Sequence, residues 1–176
     1  MALANDASVH DGEIVGDPTE AALVVLAEKG GLDVDETRRL YPRVAEVPFD
    51  SEYKFMATFH ELEDDGRKVV RCFVKGAPDV LLARSSDARD VDGTVIAIDD
   101  YRGRVMEEND RLASEGLRVL AVASRDFDPS SFDAGAPLVD EVQELTLLAL
   151  VAIVDRPARK RRTRSRSANR PGSARA

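Results

Sequence analysis

The chain has 176 residues, 43% hydrophobic and 33% charged, a composition that fits one soluble globular domain with a sizeable core and excludes a compositionally disordered chain. Its longest apolar run, LTLLALVAIV at 145–154, is about half the ~20 residues a membrane-crossing helix needs, and the opening MALANDASVHDG lacks a basic-then-apolar leader. The net charge of −8 conceals a split: residues 156–176 carry nine Lys/Arg and no acid, leaving 16 basic against 33 acidic groups in 1–155, a net of −17 that is the wrong sign for binding a phosphate backbone.

In chain order, GDPTEAALVVLAEKG at 16–30 predicts a helix with Asp17 as N-cap, Pro18 at the first helical position and Gly30 as a left-handed stop. Glu20 stands three residues after Asp17, where a capping-box carboxylate reaches back to the cap N–H. Residues 44–49 alternate as a strand that Pro48 confines to an edge or an end. Two further strands, 55–62 and 68–75, flank Asp65-Gly66 and predict an antiparallel hairpin. Gly76-Ala77-Pro78 breaks the second of these, and Pro78 opens a short helix. A strand at 93–99 precedes a helix at 99–115, capped by Asp99 or Asp100 and stopped by Gly116. The near-continuous apolar run 117–123 predicts a strand covered on both faces, and after a loop at 128–137 comes the last strand, 145–154. The order α-β-β-β-α-β-α-β-β predicts an α+β fold with a largely antiparallel sheet and helices packed on one side. Cys72 is the single cysteine, which excludes an internal disulfide and makes a reducing compartment the default, and His10 and His60 have no neighbours that suggest catalysis or metal binding.

Four stretches stand in one order: GDPTEAAL (16–23), PFDSEYKFM (48–56), FVKGAPDVLL (73–82) and LRVLAVA (117–123). Together they resemble the nucleotide-binding domain of P-type ATPases, ion pumps that form an aspartyl-phosphate, and most of all the calcium-pump-like branch. The resemblance implies ATP as ligand, with magnesium accompanying the nucleotide, and the remaining pump domains as partners. It makes Phe49 the ring on which adenine stacks, Glu20 the carboxylate on the adenine side with Thr19 beside it, and Lys54 and Lys75 lysines bordering the nucleotide. Gly76 and Ala77 would let the base approach the backbone, and Arg118 would reach the phosphate or ribose. Adenine does want a ring and an acceptor near its amine, and polyphosphate wants cations. Each residue also has a plainer reading: a helix cap for Glu20, core for Phe49, solvated lysines at 54 and 75, and a salt bridge for Arg118.

No Asp-Lys-Thr-Gly-Thr, Thr-Gly-Asp or Gly-Asp-Gly segment occurs in the sequence. The expectation is therefore an incomplete pump portion lacking the early strands of its domain, catalysing nothing by itself and placed, as in the family, on the cytoplasmic side. The expected divisions are a nucleotide-binding domain at 1–143, a strand at 144–156 resembling the return into the phosphorylation domain, and a basic disordered tail at 157–176. On that division the run 145–154 is left with an unpaired edge or no sheet, an association hazard. The alternative is a non-enzymatic module whose basic tail docks on nucleic acid or acidic lipid; a stand-alone phosphatase-like hydrolase is disfavoured by the missing nucleophile motif.

Overall fold

The structure, a computed structural model, describes residues 1–10 and 13–154, without the side chains of Val9, His10 and Ile14. The tail expected at 157–176 lies outside the described residues. A small hairpin of β1 (Ser8–His10) and β2 (Glu13–Val15) leads into α1 (Pro18–Lys29) and α2 (Val34–Leu40). Then follow β3 (Arg43–Asp50), β4 (Phe55–Asp64), β5 (Arg67–Gly76), α3 (Pro78–Arg84), β6 (Ser85–Arg89) and β7 (Val95–Ala97). The described chain ends with α4 (Ile98–Ser114), β8 (Leu117–Phe127), α5 (Leu138–Glu141) and β9 (Leu145–Val154).

The local signals act largely where the sequence puts them. Asp17 Oδ1 accepts the Thr19 and Glu20 N–H groups at 2.8 and 3.2 Å, so two of the first orphan donors of α1 are satisfied. At the other end the left-handed residue is Gly31, at φ +86°, and not Gly30 at φ −75°. The Leu32 N–H reaches back to Ala27 O at 3.1 Å, which sets the reversal one residue later than expected. Asp65 and Gly66, at φ 48° and 77°, form the two-residue turn that pairs Asp64 with Arg67. The helix expected to be capped by Asp99 or Asp100 starts instead at Ile98 after Ala97, which leaves both aspartates in its first turn, where the helix dipole favours them.

Seven strands form one sheet in the order β3-β4-β5-β8-β9-β6-β7, antiparallel except for β6 against β9. The α+β, largely antiparallel expectation describes it. The run Leu145–Val154 is not set apart with an unpaired edge or no sheet. It is paired with β8 from Thr146 to Val154 and with β6 from Leu145 to Leu147, with Leu145, Leu147 and Val151 buried.

The main core lies between one face of the sheet and α3 and α4, built on Phe55, Phe59, Val74, Leu81, Leu82, Ala121 and Leu145. The strand covered on both faces is β4, where Phe55 to His60 are six successive buried residues; β8 is fully buried only at Ala121 and Ala123. Side chains alternate along a strand, so Lys75 faces away from the core that holds Val74. It meets α1 there.

Candidate functional site

Where β5 ends, α1 begins and the turn between β3 and β4 folds over, a cleft of about 480 Å³ opens. Its walls include Thr19, Glu20, Phe49, Lys54, Lys75, Gly76, Ala77 and Arg118, which the sequence motifs single out and which are spread over a hundred positions. Asp17, Pro78, Val119 and Leu120 complete the lining. The last two supply an apolar surface that follows from their place beside Arg118 on β8.

Glu20 and Lys75 are joined across the cleft wall. Lys75 Nζ donates to Glu20 Oε1 at 2.5 Å, and the side chains are 8% and 18% exposed, so this pair is largely out of water. Burial holds the Lys75 ammonium below its ordinary pKa, and the Glu20 carboxylate opposes that shift. The Asp6 N–H donates to Glu20 Oε2 at 2.9 Å. Glu20 thus spends its oxygens on Lys75 and Asp6 and not on a capping box with Asp17, although a carboxylate's remaining lone pairs can still accept from a ligand. Lys75 is not the solvated strand-end lysine of its plainer reading.

The other groups have distinct surroundings. Phe49 is 63% exposed, so it is not a core residue. Arg118 Nη1 donates to Thr19 Oγ1 at 3.0 Å, tying β8 to the first turn of α1. Asp17 also borders the cleft; burial would raise its pKa, but hydrogen bonds from Glu20 and Thr19, with Arg118 nearby, hold it below the usual carboxylate value. The start of α1 is no open anion cradle, because Pro18 has no N–H and the Thr19 and Glu20 amides belong to Asp17.

Lys54 sits at φ 56°, and its carbonyl accepts the Ala77 N–H at 3.0 Å, so the β3–β4 turn is fastened onto the end of β5. Gly76 is what allows this approach. A Cβ at position 76 would stand 2.6 Å from both Lys54 O and Phe55 Cβ and 2.9 Å from Leu81 Cδ1. The space beside Gly76 is thus filled by the protein's own turn, a packing requirement that the motif alone does not reveal.

Cys72 and His60 stay out of the cleft. Burial pushes the Cys72 thiol up to about 12, which leaves it a protonated core side chain. His60 is enclosed between Tyr41 O and Thr58 Oγ1, each at 2.9 Å. No helix among the described residues is long and apolar enough to cross a membrane.

The sequence matches known proteins over most of its length. Residues 1–160 match the family described as P-type ATPase, cytoplasmic domain N. The chain is 36% identical over 159 residues to calcium-transporting ATPase 1 of Lactococcus lactis, covering 89% of this chain and 17% of that protein. It is 38% identical over 162 residues to a calcium-transporting ATPase of Bacillus subtilis, with the same coverage of 89% and 17%. Against human calcium-transporting ATPase type 2C member 1 it is 35% identical over 157 residues, or 88% of this chain and 15% of that protein. The chain thus spans about a sixth of the length of these curated relatives, and the match lies over the acidic body, which gives no support to the tail-docking alternative. On the sequence match and the α+β architecture together, the chain belongs to the P-type ATPase cytoplasmic domain N family.

Proposed function

We propose that this chain holds ATP for a cation-transporting P-type ATPase, gripping the base so that the terminal phosphate can reach an aspartate carried elsewhere in the pump. The observation that carries this reading is the exposed Phe49 ring on the same cleft as the Glu20–Lys75 pair. A large aromatic surface left in water is unfavourable unless something covers it, and a purine has the flat face to do so. Glu20 offers acceptor capacity to the amine of adenine, while Lys54, Lys75 and Arg118 give the cleft cations for the ribose and polyphosphate side. Magnesium comes with the polyphosphate. The domain's part in the reaction is positioning; the nucleophile and the metal-assisted transfer belong to other parts of the pump, so the chain alone forms no phosphoenzyme. Its placement is on the cytoplasmic side of the membrane, and its partners are the other pump domains.

Calorimetric titration of the full chain with ATP, ADP and GTP, repeated on Phe49→Ala, tests the reading. ATP and ADP bind alike because the base is the anchor, and GTP binds more weakly. Phe49→Ala lowers ATP affinity by about tenfold, within the range for loss of one base-stacking ring, with the melting temperature unchanged because the ring is exposed. Equal affinities for ATP and GTP, together with no effect of Phe49→Ala, would overturn it.

A further inference from the structure

Glu20 owes its orientation partly to a segment distant from it in sequence. The backbone of residues 2–7 runs past α1, and the Asn5 side chain, 2% exposed, donates to Glu20 O at 2.9 Å while its own oxygen accepts the Ala7 N–H at 2.9 Å. The next residue gives its N–H to the Glu20 carboxylate. That segment has no regular secondary structure of its own before β1, and its Ala2, Asn5 and Ala7 carbonyls take donors from outside it.

Arg38, on α2, supplies them. Its Nε donates to Ala2 O at 3.0 Å, and its Nη2 donates to Asn5 O at 3.2 Å and to Ala7 O at 2.9 Å. One planar guanidinium thus fastens the segment at three points spanning Asn5 and Asp6, the two residues that hold Glu20. Arg43 reinforces it from β3, donating to Asn5 O at 3.2 Å and pairing with Asp6 Oδ1 at 2.9 Å. A lysine could not reproduce this grip, because an ammonium lacks the fixed fork that reaches three acceptors along a chain.

We propose that Arg38 is a positioning residue of the nucleotide cleft: through the segment 2–7 it fixes the Glu20 carboxylate in the orientation that distinguishes a 6-amino purine from a 6-oxo purine. The proposal rests on the adenine-binding reading above. Arg38 does not line the cleft, so it acts on selectivity only through Glu20. When the clamp is lost, Glu20 keeps its pair with Lys75 but is free to turn about it, and the acceptor aimed at the amine is lost.

The test compares the full-length chain with its Arg38→Ala, Arg38→Lys and Arg39→Ala variants, titrating each with ATP and with inosine triphosphate, which has an oxo group in place of the amine. Arg39 is the control, an exposed neighbour that holds Glu36 on its own helix. Arg38→Ala is expected to lower ATP affinity by about tenfold, the size of one charge-assisted contact, while affinity for inosine triphosphate changes less than twofold. Arg38→Lys moves the same way by less, and Arg39→Ala changes neither. An equal loss for both nucleotides, or an unchanged ratio in a folded Arg38→Ala, overturns the proposal; if that variant does not fold, an unchanged ratio in Arg38→Lys does so. Exchange of the Asp6 amide, measured without nucleotide, distinguishes the clamp from adenine binding. Faster exchange in Arg38→Lys supports the clamp even if the parent chain binds no adenine nucleotide, an outcome that would sink the adenine reading, whereas unchanged Asp6 exchange removes the clamp itself.

Discussion

Two cations on strand β5, Arg71 and Lys75, lie four residues apart and so project from the same face of the sheet, yet their surroundings are opposite. Arg71 sits on the open part of that face and is gripped by Asp126 at 2.6 Å and Asp64 at 2.5 Å, carboxylates that are themselves 41% and 52% exposed. Those partners, Asp126 first, raise its pKa. Lys75 lies where α1 and the segment 2–7 cover the sheet, and burial lowers its pKa despite Glu20. The residue types do not account for the contrast; the cover does. A covered cation with one partner can be shared with a ligand at little further desolvation, whereas Arg71 is already shared between two solvent-exposed carboxylates, so its pairs add little.

Removing each cation in turn gives the largest expected separation. Lys75→Met leaves the Glu20 carboxylate partly buried without its counter-charge and is expected to cost about 3 kcal/mol of stability. Arg71→Met is expected to cost about 1 kcal/mol or less. Denaturant unfolding of the two variants measures both, and equal costs would show that the cover over Lys75 has no energetic consequence.

A smaller effect is expected at the turn that closes the covered region. Gly76→Ala forces a Cβ against Lys54 O and Phe55 Cβ, at an expected cost of about 2 kcal/mol, and it displaces Lys54 from the cleft. The check is a lower unfolding midpoint together with weaker ATP binding. Binding at the parent's strength would mean that the fastening of this turn does not shape the cleft.

The smallest effect concerns His60, which stands directly across from Arg71 in the β4–β5 register but is enclosed by Tyr41. Because Tyr41 O can only accept, Nδ1 carries the proton of the neutral ring and Nε2 accepts from the Thr58 hydroxyl. Burial lowers the His60 pKa below its ordinary 6.5, and nearby Arg43 adds to the shift. The stability owed to neutral His60 is therefore complete above pH 6.5, falls as the pH drops below that value toward the folded pKa, and falls no further beneath it. The slope is at most about 1.4 kcal/mol per pH unit. Urea midpoints at pH 7.5 and 5.5 should diverge more for the parent than for His60→Asn; parallel losses would assign the acid sensitivity to other groups.

The sequence makes the local parts of this molecule legible and leaves the covering parts obscure. Helix α1 and the Asp65-Gly66 hairpin are written in adjacent residues, as are the motifs that line the cleft. Helix α2 also carries a local signal, since Asp33 Oδ1 accepts the Glu36 N–H at 2.9 Å. Its short polar sequence, VDETRRL, has too little apolar periodicity to stand out. Strand β6, SSDAR, has none of the β-branched or aromatic residues that favour strands and exists because β9 and β7 offer edges to it. The choice of β9 as an interior strand depends on pairing with residues far away in the chain. So do the Glu20 and Lys75 pair, 55 positions apart, and the Arg118 and Thr19 contact, 99 apart. Glu20 could be read as a cap or as a ligand group from its own neighbourhood, and only the covered end of the sheet shows which groups it touches.

The most direct test of the contrast between the covered and the open ends is an amide-shift map of the full chain titrated with ATP. Saturable shifts are expected around Asp17, Thr19, Glu20, Phe49, Lys54, Lys75 to Ala77 and Arg118 to Leu120, with Arg71, Asp126 and their neighbours unmoved. Shifts centred on Arg71 and the open face, or confined to the basic residues after 155, would contradict it.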